Sequence, residues 1–122
     1  MHKKESFIIN RIKSIGFAFK GMLILIKTEA SIKIQLFIAL VVTIAGFYFQ
    51  ISKIEWLVQI AMIGLVMSIE GLNTAIEHIA DFVHPDNHPK IGLIKDIAAG
   101  AVFIASIVAV IIAVIIYFPK FF

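Results

Sequence analysis

Apolar residues dominate three long runs of this chain, and short polar links separate the runs. The first spans about residues 34–51, the second about 54–83 and the third about 95–118. The second run is free of acidic residues from Trp56 to Ile69 and continues as a helical pattern beyond that point. A helix needs ~20 mainly apolar residues to cross the hydrocarbon core of a bilayer. Because an isolated strand would leave its backbone unpaired in lipid, we predict three transmembrane helices.

The segment before the first run, residues 1–33, has a different pattern. Lys13, Lys20 and Lys27 recur every seven residues and so form one basic stripe on a helix, and apolar residues cover much of the remaining surface. The pattern predicts an amphipathic helix lying on the membrane surface. A solvated helix packed against its own bundle is the alternative.

Composition supports a membrane protein and excludes several other classes. The 122 residues are 61% hydrophobic, with a mean hydropathy of +1.01, which is too apolar for a soluble domain of this size. The length allows one domain, 1–122. There is no cysteine, so a disulfide framework and a thiolate nucleophile are excluded. The net charge of +3 is too small and too dispersed to indicate nucleic-acid binding.

Basic residues are distributed unevenly between the links. Seven of the eleven lysines and arginines precede the first span, whereas Lys53 is the one basic residue in the first link. Basic residues stay on the cytoplasmic side of membrane proteins. We therefore expect the N-terminus and the second link to lie inside, and the first link and the C-terminus to lie outside.

An acidic face follows the second apolar run, in "MSIEGLNTAIEHIADFV". Glu70, Asn73, Glu77 and Asp81 share less than a quarter of the helix circumference at ~100° per residue. A charged group in hydrocarbon costs ~3 kcal/mol or more, so these side chains cannot point at lipid. Their mutual repulsion requires a divalent cation, a lysine or a shared proton. Carboxylate oxygens suit Mg²⁺, which completes its shell with waters and phosphates. A structural hydrogen-bond network is the alternative.

A second polar group, Lys95 and Asp96, lies at the predicted start of the third span, in "GLIKDIAAGAV". A helix N-terminus binds phosphate through its free N–H groups and its dipole, and Lys95 adds a donor. Membrane anchoring and helix capping are the alternative roles for this pair. Glu29, in "IKTEAS", precedes the first span on the same side of the membrane.

These motifs resemble a known family. "EGLNTAIEHIAD", followed by "HPKIGLIKDIAAGAV", is similar to the bacterial integral-membrane diacylglycerol kinases, which include undecaprenol kinases, and the resemblance extends to "FKGM" and "KTEASIKI". It implies an all-α membrane protein, with an N-terminal surface helix and three spans, that assembles as a homotrimer. It also implies active sites between subunits at the cytoplasmic face of the bacterial inner membrane.

The resemblance further implies roles for individual residues. Glu70 matches the general base that takes a proton from the lipid hydroxyl, and Glu29 and Glu77 match the carboxylates that hold Mg²⁺ against ATP. Asn73 and Asp81 match supporting polar residues. The implied ATP contacts are Phe17, Glu29, Glu77, Asp86, His88, Lys95 and Asp96. Asn10, Phe17 and Gln35 depart from the pattern of the best-known diacylglycerol kinases, which leaves the outer nucleotide contacts and the lipid preference open.

The function implied is transfer of the γ-phosphoryl group of ATP to the hydroxyl of a membrane lipid, either diacylglycerol or undecaprenol. A non-enzymatic membrane oligomer, such as a small ion or proton conductor, is the rival, because intramembrane acids are common there too. The pair Lys95 and Asp96 favours the kinase, since a proton path does not need it.

Overall fold

The computed structural model of the protein describes residues 6–122, so the first five residues of the predicted surface helix lie outside the described part. Four helices follow one another along the chain: α1 Phe7–Thr28, α2 Ala30–Tyr48, α3 Lys53–Val83 and α4 Pro89–Phe121. Residues 6–122 contain no strand. The predicted all-helical class is therefore confirmed.

Three of these helices, α2, α3 and α4, are long and apolar enough to cross a membrane, which confirms the three predicted spans. α2 has 19 residues, whereas α3 and α4 have 31 and 33. At about 1.5 Å per residue, α3 and α4 are each ~45–50 Å long. Because the hydrocarbon core is ~30 Å thick, both helices extend beyond it. Large apolar side chains such as Phe37 and Phe103 are exposed, as lipid-facing side chains are.

A single non-helical residue, Glu29, separates α1 from α2. Its backbone is extended, with φ −98° and ψ 115°. Its N–H donates to the Leu25 carbonyl at 3.0 Å and its carbonyl accepts from the Lys33 N–H at 3.1 Å, so Glu29 closes one helix and opens the next. The boundary expected between residues 33 and 34 is therefore wrong, since the break comes four residues earlier, at a point without glycine or proline.

α2 ends at Tyr48, three residues before the expected end, because the chain turns there. Gln50 has a φ of 52°, the left-handed conformation common just after a helix. After the turn, Trp56 of α3 packs against Gly46 of α2. A Cβ atom at residue 46 would lie 2.6 Å from Trp56 Cη2, so this contact requires glycine.

α3 begins with a capping box that the sequence "SKIE" encodes. The Ser52 hydroxyl accepts from the Glu55 N–H at 3.1 Å, and the Glu55 carboxylate accepts from the Ser52 N–H at 2.9 Å. The same carboxylate pairs with Lys120 near the end of α4, at 3.1 Å. The start of α3 is therefore joined to the end of α4.

α4 begins at Pro89 and not near residue 95, so this expected boundary is also wrong. The two prolines of "HPDNHP" suggest a continuous break, yet Pro89 occupies the first position of the helix, where its missing N–H costs nothing. The His88 ring caps the helix, since its Nδ1 accepts from the Lys90 N–H at 3.1 Å. Lys95 and Asp96 consequently lie in the second turn of α4 and not at its N-terminus.

α4 packs along α3, and α2 packs against α3 over a shorter stretch. A half-buried polar cluster joins these three helices near the end where α3 begins. The Tyr117 hydroxyl lies 2.6 Å from Gln59 Oε1 and 3.0 Å from the Val42 carbonyl oxygen, and Gln59 Nε2 donates to the same carbonyl at 3.1 Å. We call Val42, Gln59 and Tyr117 the distal cluster. The other end of the bundle, where α3 ends and α4 begins, is the acidic end.

Candidate active site

The four polar residues of the acidic face differ in burial along α3. Glu70 and Asn73 are 7% and 8% exposed. Glu77 is half-buried and Asp81 is exposed. Burial thus decreases towards the end of the helix, and Glu70 is the most deeply buried acid of the face. Within residues 6–122, the Glu70 carboxylate has neither a hydrogen bond nor an ion pair, so its oxygen lone pairs are available to a ligand.

Asn73 and Glu77 form a pair on this face. They are one helical turn apart, and Asn73 Nδ2 donates to Glu77 Oε1 at 3.3 Å. The other polar atom of the same amide, Asn73 Oδ1, is buried and has no hydrogen-bond partner among the described residues. A buried acceptor without a partner costs ~1–3 kcal/mol. A hydrogen-bond donor or a cation from outside residues 6–122 would therefore stabilise this oxygen.

Glu29 approaches the acidic face from the break between α1 and α2. Its carboxylate makes no capping bond, and Oε1 lies 3.9 Å from Nε2 of His78 on α3. Nearby, one side chain of α1 contacts α3, since a Cβ atom at Gly71 would lie 3.1 Å from Leu25 Cδ1. Sequence reasoning did not assign His78 to this site. The one feature of the sequence that points to His78 is that it directly follows Glu77.

Lys95 and Asp81 connect α4 to the exposed end of the acidic face. Lys95 Nζ donates to Asp81 Oδ1 at 2.5 Å. A lysine is one of the three alternatives expected to neutralise the acidic face, and here Lys95 neutralises Asp81. Glu70, about three turns away along α3, is not neutralised by this contact.

A pocket of about 430 Å³ lies at the link between α3 and α4. Three of the predicted nucleotide contacts, Asp86, His88 and Lys95, line it together. The link is shaped by a contact of 2.8 Å between His84 Nδ1 and the Asp86 carbonyl oxygen. The rings of His84 and His88 also contact each other, with centroids 5.1 Å apart.

The other four predicted nucleotide contacts do not line this pocket, and two of them, Glu29 and Glu77, lie at the acidic face described above. Phe17 lies on α1 and is 73% exposed. Asp96 is exposed on α4, beside Lys95 in the chain. The described part of a single protomer therefore brings together three of the seven predicted ATP contacts in one pocket and leaves the other four outside it.

The acidic face offers oxygen donors but no closed metal site. Within residues 6–122, no three acidic or histidine side chains are close enough together to hold a metal ion. Glu77 and the unpartnered Asn73 Oδ1 are nevertheless the hard oxygen donors that Mg²⁺ prefers. Mg²⁺ is commonly held by one or two carboxylates, with waters and phosphates filling the other positions. The donor set therefore fits an Mg²⁺ ion that arrives with a polyphosphate.

Comparison with known proteins adds an independent line of evidence. The family model for prokaryotic diacylglycerol kinase matches residues 16–117. The undecaprenol kinase of Bacillus subtilis (strain 168) is 38% identical over 120 residues, which covers 98% of this chain and 95% of that protein. The diacylglycerol kinase of Escherichia coli (strain K12) is 33% identical over 100 residues, which covers 82% of each chain. The chain therefore belongs to the prokaryotic diacylglycerol kinase family.

Proposed function

We propose that this protein is an ATP-dependent lipid kinase that transfers the γ-phosphoryl group to the hydroxyl of a membrane lipid alcohol. Membership of the prokaryotic diacylglycerol kinase family supports this activity. The main structural support for this activity is that the buried acid Glu70 shares one face of α3 with the hydrogen-bonded pair Asn73 and Glu77. A non-enzymatic oligomer has no comparable support.

Glu70 is the proposed general base. Phosphoryl transfer requires a group that accepts the proton of the attacking hydroxyl and holds the oxygen in line with the leaving group. The Glu70 carboxylate is buried and has no partner in the described chain, so it can accept that proton directly. A lipid hydroxyl reaches the buried Glu70 more easily than it reaches Asp81, which is exposed at the aqueous end of α3.

The phosphate groups of ATP are proposed to bind towards the link. Lys95 donates to phosphate oxygens, and Asp86 and His88 contact the nucleotide in the same pocket. Phe17 and Asp96 would add outer contacts, either in the assembled protein or after movement of α1. Because Lys95 is already paired with Asp81, its ammonium group exchanges one oxygen acceptor for another when ATP binds.

Glu77 and Glu29 are proposed to hold Mg²⁺, with Asn73 and Asp81 supporting them. These residues would hold the cation beside the phosphates, where it would supply positive charge against theirs. Asn73 orients Glu77 through its amide N–H, and its Oδ1 is buried without a hydrogen-bond partner in residues 6–122. The Glu29 carboxylate lies 3.9 Å from His78, which is on α3 as Glu77 is. A rotation of the Glu29 side chain would bring its carboxylate to the proposed cation.

We further propose a homotrimer with α1 on the inner membrane surface. The single protomer lacks a closed metal site in residues 6–122, and much of its apolar surface is exposed, as expected if lipid and other subunits cover it. Seven of the eleven basic residues precede the first predicted span, and this distribution supports a cytoplasmic N-terminus and α3–α4 link in a bacterial inner membrane. The first link and the C-terminus then lie outside.

The lipid is proposed to be diacylglycerol or undecaprenol, since each presents one primary hydroxyl beside long apolar chains. The relatives include kinases named for both lipids. The test is to incorporate the purified protein into vesicles, to add Mg²⁺ and ATP labelled at the γ-phosphate, and to supply each lipid in turn. We expect labelled lipid with at least one of them and none in vesicles without an alcohol. An absence of labelled lipid with both would contradict the proposal.

A further inference from the structure

The link between α3 and α4 contains two His–Pro pairs, His84–Pro85 and His88–Pro89. Proline favours an extended backbone at the residue before it, and both histidines have one, with φ −149° at His84 and −146° at His88. His84 is the C-terminal cap of α3, and His88 is the N-terminal cap of α4. The two pairs therefore place one imidazole ring at each end of the link.

The two rings use the same nitrogen in opposite ways. His84 Nδ1 lies 2.8 Å from the Asp86 carbonyl oxygen, which can only accept, so this nitrogen carries a proton and donates. His88 Nδ1 accepts from the Lys90 N–H at 3.1 Å, so this nitrogen carries no proton. The two rings also contact each other at an angle of 63°, with centroids 5.1 Å apart. His84 is thus in contact with both Asp86 and His88.

His84 does not line the pocket at the link, but the two residues that it contacts, Asp86 and His88, both do. The His84 side chain is half-buried, whereas residues 85–90 are exposed. In residues 6–122, the hydrogen bond from His84 is the only one that Asp86 makes. The shape of this exposed link therefore depends on one half-buried side chain.

The His84 side chain is not needed to end α3. The backbone N–H of His84 donates to the Ala80 carbonyl at 2.9 Å, and any residue except proline supplies this bond. Replacement of the imidazole ring thus removes the contacts with Asp86 and His88 and keeps the end of the helix. An effect on the pocket can therefore be separated from an effect on the fold.

We propose that His84 is a positioning residue of the nucleotide site, because its hydrogen bond to Asp86 holds the link in the shape in which ATP binds. Binding costs less free energy when the contacting groups are already in place. His84 acts through Asp86 and His88 and does not contact the nucleotide. The proposal rests on the proposed lipid kinase function and adds to its ATP site a residue that orders two of the expected contacts.

Steady-state kinetics of three variants at residue 84 test this role. His84→Ala should raise the KM for ATP by about three- to ten-fold, the value of one hydrogen bond, and leave kcat within about two-fold. His84→Asn keeps a donor for the Asp86 carbonyl and should restore most of the affinity, whereas His84→Phe keeps a ring without a donor and should not. An unchanged KM in His84→Ala, or a KM in His84→Asn no lower than that in His84→Phe, would overturn the proposal.

Val83→Ala is the matched control for these variants. Val83 precedes His84 at the end of α3, is 69% exposed and does not line the pocket. Its KM for ATP should stay within about two-fold of the unmodified protein, since an exposed side chain without a polar contact contributes little. A rise in the KM equal to that of His84→Ala would show that any change at this helix end disturbs the pocket, which would overturn the proposal.

Two measurements do not rely on turnover. In protein labelled with ¹⁵N at its four histidines, at a pH where the rings are neutral, NMR should show a proton on Nδ1 of His84 and on Nε2 of His88. The same tautomer in both rings would overturn the proposal. Calorimetry with Mg·ATP separates the two hypotheses. If the unmodified protein does not bind Mg·ATP, the proposed function fails and this inference with it, whereas equal affinities of the unmodified protein and His84→Ala refute the inference alone.

Discussion

Lys95 of α4 and Asp81 of α3 form an ion pair at the acidic end, with Lys95 Nζ 2.5 Å from Asp81 Oδ1. The side chains are 37% and 60% exposed, so the pair itself contributes at most ~1 kcal/mol. Lys95 also lines the pocket in which we propose that the nucleotide binds. The lysine is therefore held near the proposed phosphate site by a contact weak enough to be exchanged.

This relationship predicts unequal effects of removing its two members. Lys95→Ala should raise the KM for ATP by about ten-fold or more, since a charge-assisted hydrogen bond contributes ~1.5–3 kcal/mol. Asp81→Asn should change it by no more than about five-fold, because it loosens the lysine and removes a supporting residue of the proposed Mg²⁺ site, not a direct contact to ATP. The double variant should resemble Lys95→Ala. Steady-state kinetics at saturating lipid measure all three.

Lys90→Ala is the matched control, because Lys90 is an exposed cation of the same helix that does not line the pocket. Its KM for ATP should stay within about two-fold of the unmodified protein, as exposed charges contribute little. A Lys95→Ala variant with an unchanged KM for ATP, or an additive double variant, would contradict the assignment of Lys95.

Glu77→Gln should shift the Mg²⁺ dependence of turnover. The amide keeps the size of the side chain but loses the charge that a hard cation prefers, so about ten-fold more Mg²⁺ should be needed for half-maximal turnover. Glu55→Gln is the control, because Glu55 is a carboxylate of the same helix at the opposite end. An Mg²⁺ titration of both variants at constant ATP provides the measurement. Superimposable curves would argue against Glu77 as a metal ligand.

The positions of the spans and of the acidic face follow from local patterns. Apolar runs of sufficient length predict membrane helices whatever their neighbours are, and the spacing of Glu70, Asn73 and Glu77 fixes their common face once α3 is a helix. The burial of Glu70 also follows, since a charged side chain on this face avoids lipid.

Boundaries and tertiary contacts were harder to predict. The prolines of "HPDNHP" indicate a break, although a proline after a capping residue equally begins a helix, as Pro89 does. The break at Glu29 carries no glycine or proline, so no local signal marks it. Contacts such as Tyr117 with Gln59 join residues 58 positions apart, and one sequence contains no information about which distant side chains meet.

Tyr117→Phe should destabilise the bundle without impairing the chemistry. The variant loses the hydroxyl that bonds within the distal cluster, and the lost hydrogen bond is worth about 1 kcal/mol. We expect a fall of a few degrees in the thermal inactivation temperature and an unchanged KM for ATP at low temperature. Tyr48→Phe is the control, since Tyr48 is 79% exposed. Equal inactivation temperatures for both variants would mean that the cluster contributes nothing to stability.

Gly46→Ala should also destabilise the bundle. The added methyl group would lie 2.6 Å from Trp56 Cη2 and 2.8 Å from Cζ2, so either the ring or α2 must move, at a cost of ~1–3 kcal/mol. Gly64→Ala is the control, because a Cβ there meets nothing within 4 Å, and alanine favours helix by ~1 kcal/mol. Thermal inactivation of both variants in vesicles is the measurement. A Gly46→Ala variant as stable as Gly64→Ala would contradict the close packing of α2 on α3.

The role of Glu70 as the general base is tested most directly by Glu70→Gln. Purified Glu70→Gln in vesicles is assayed for Mg·ATP affinity by calorimetry and for lipid phosphorylation, with Glu55→Gln as the control. We expect Glu70→Gln to bind Mg·ATP within about three-fold of the unmodified protein and to lose turnover by ~10²–10⁴-fold, the contribution of a general base. Substantial lipid phosphorylation by Glu70→Gln would contradict the assignment of the buried acid as the base.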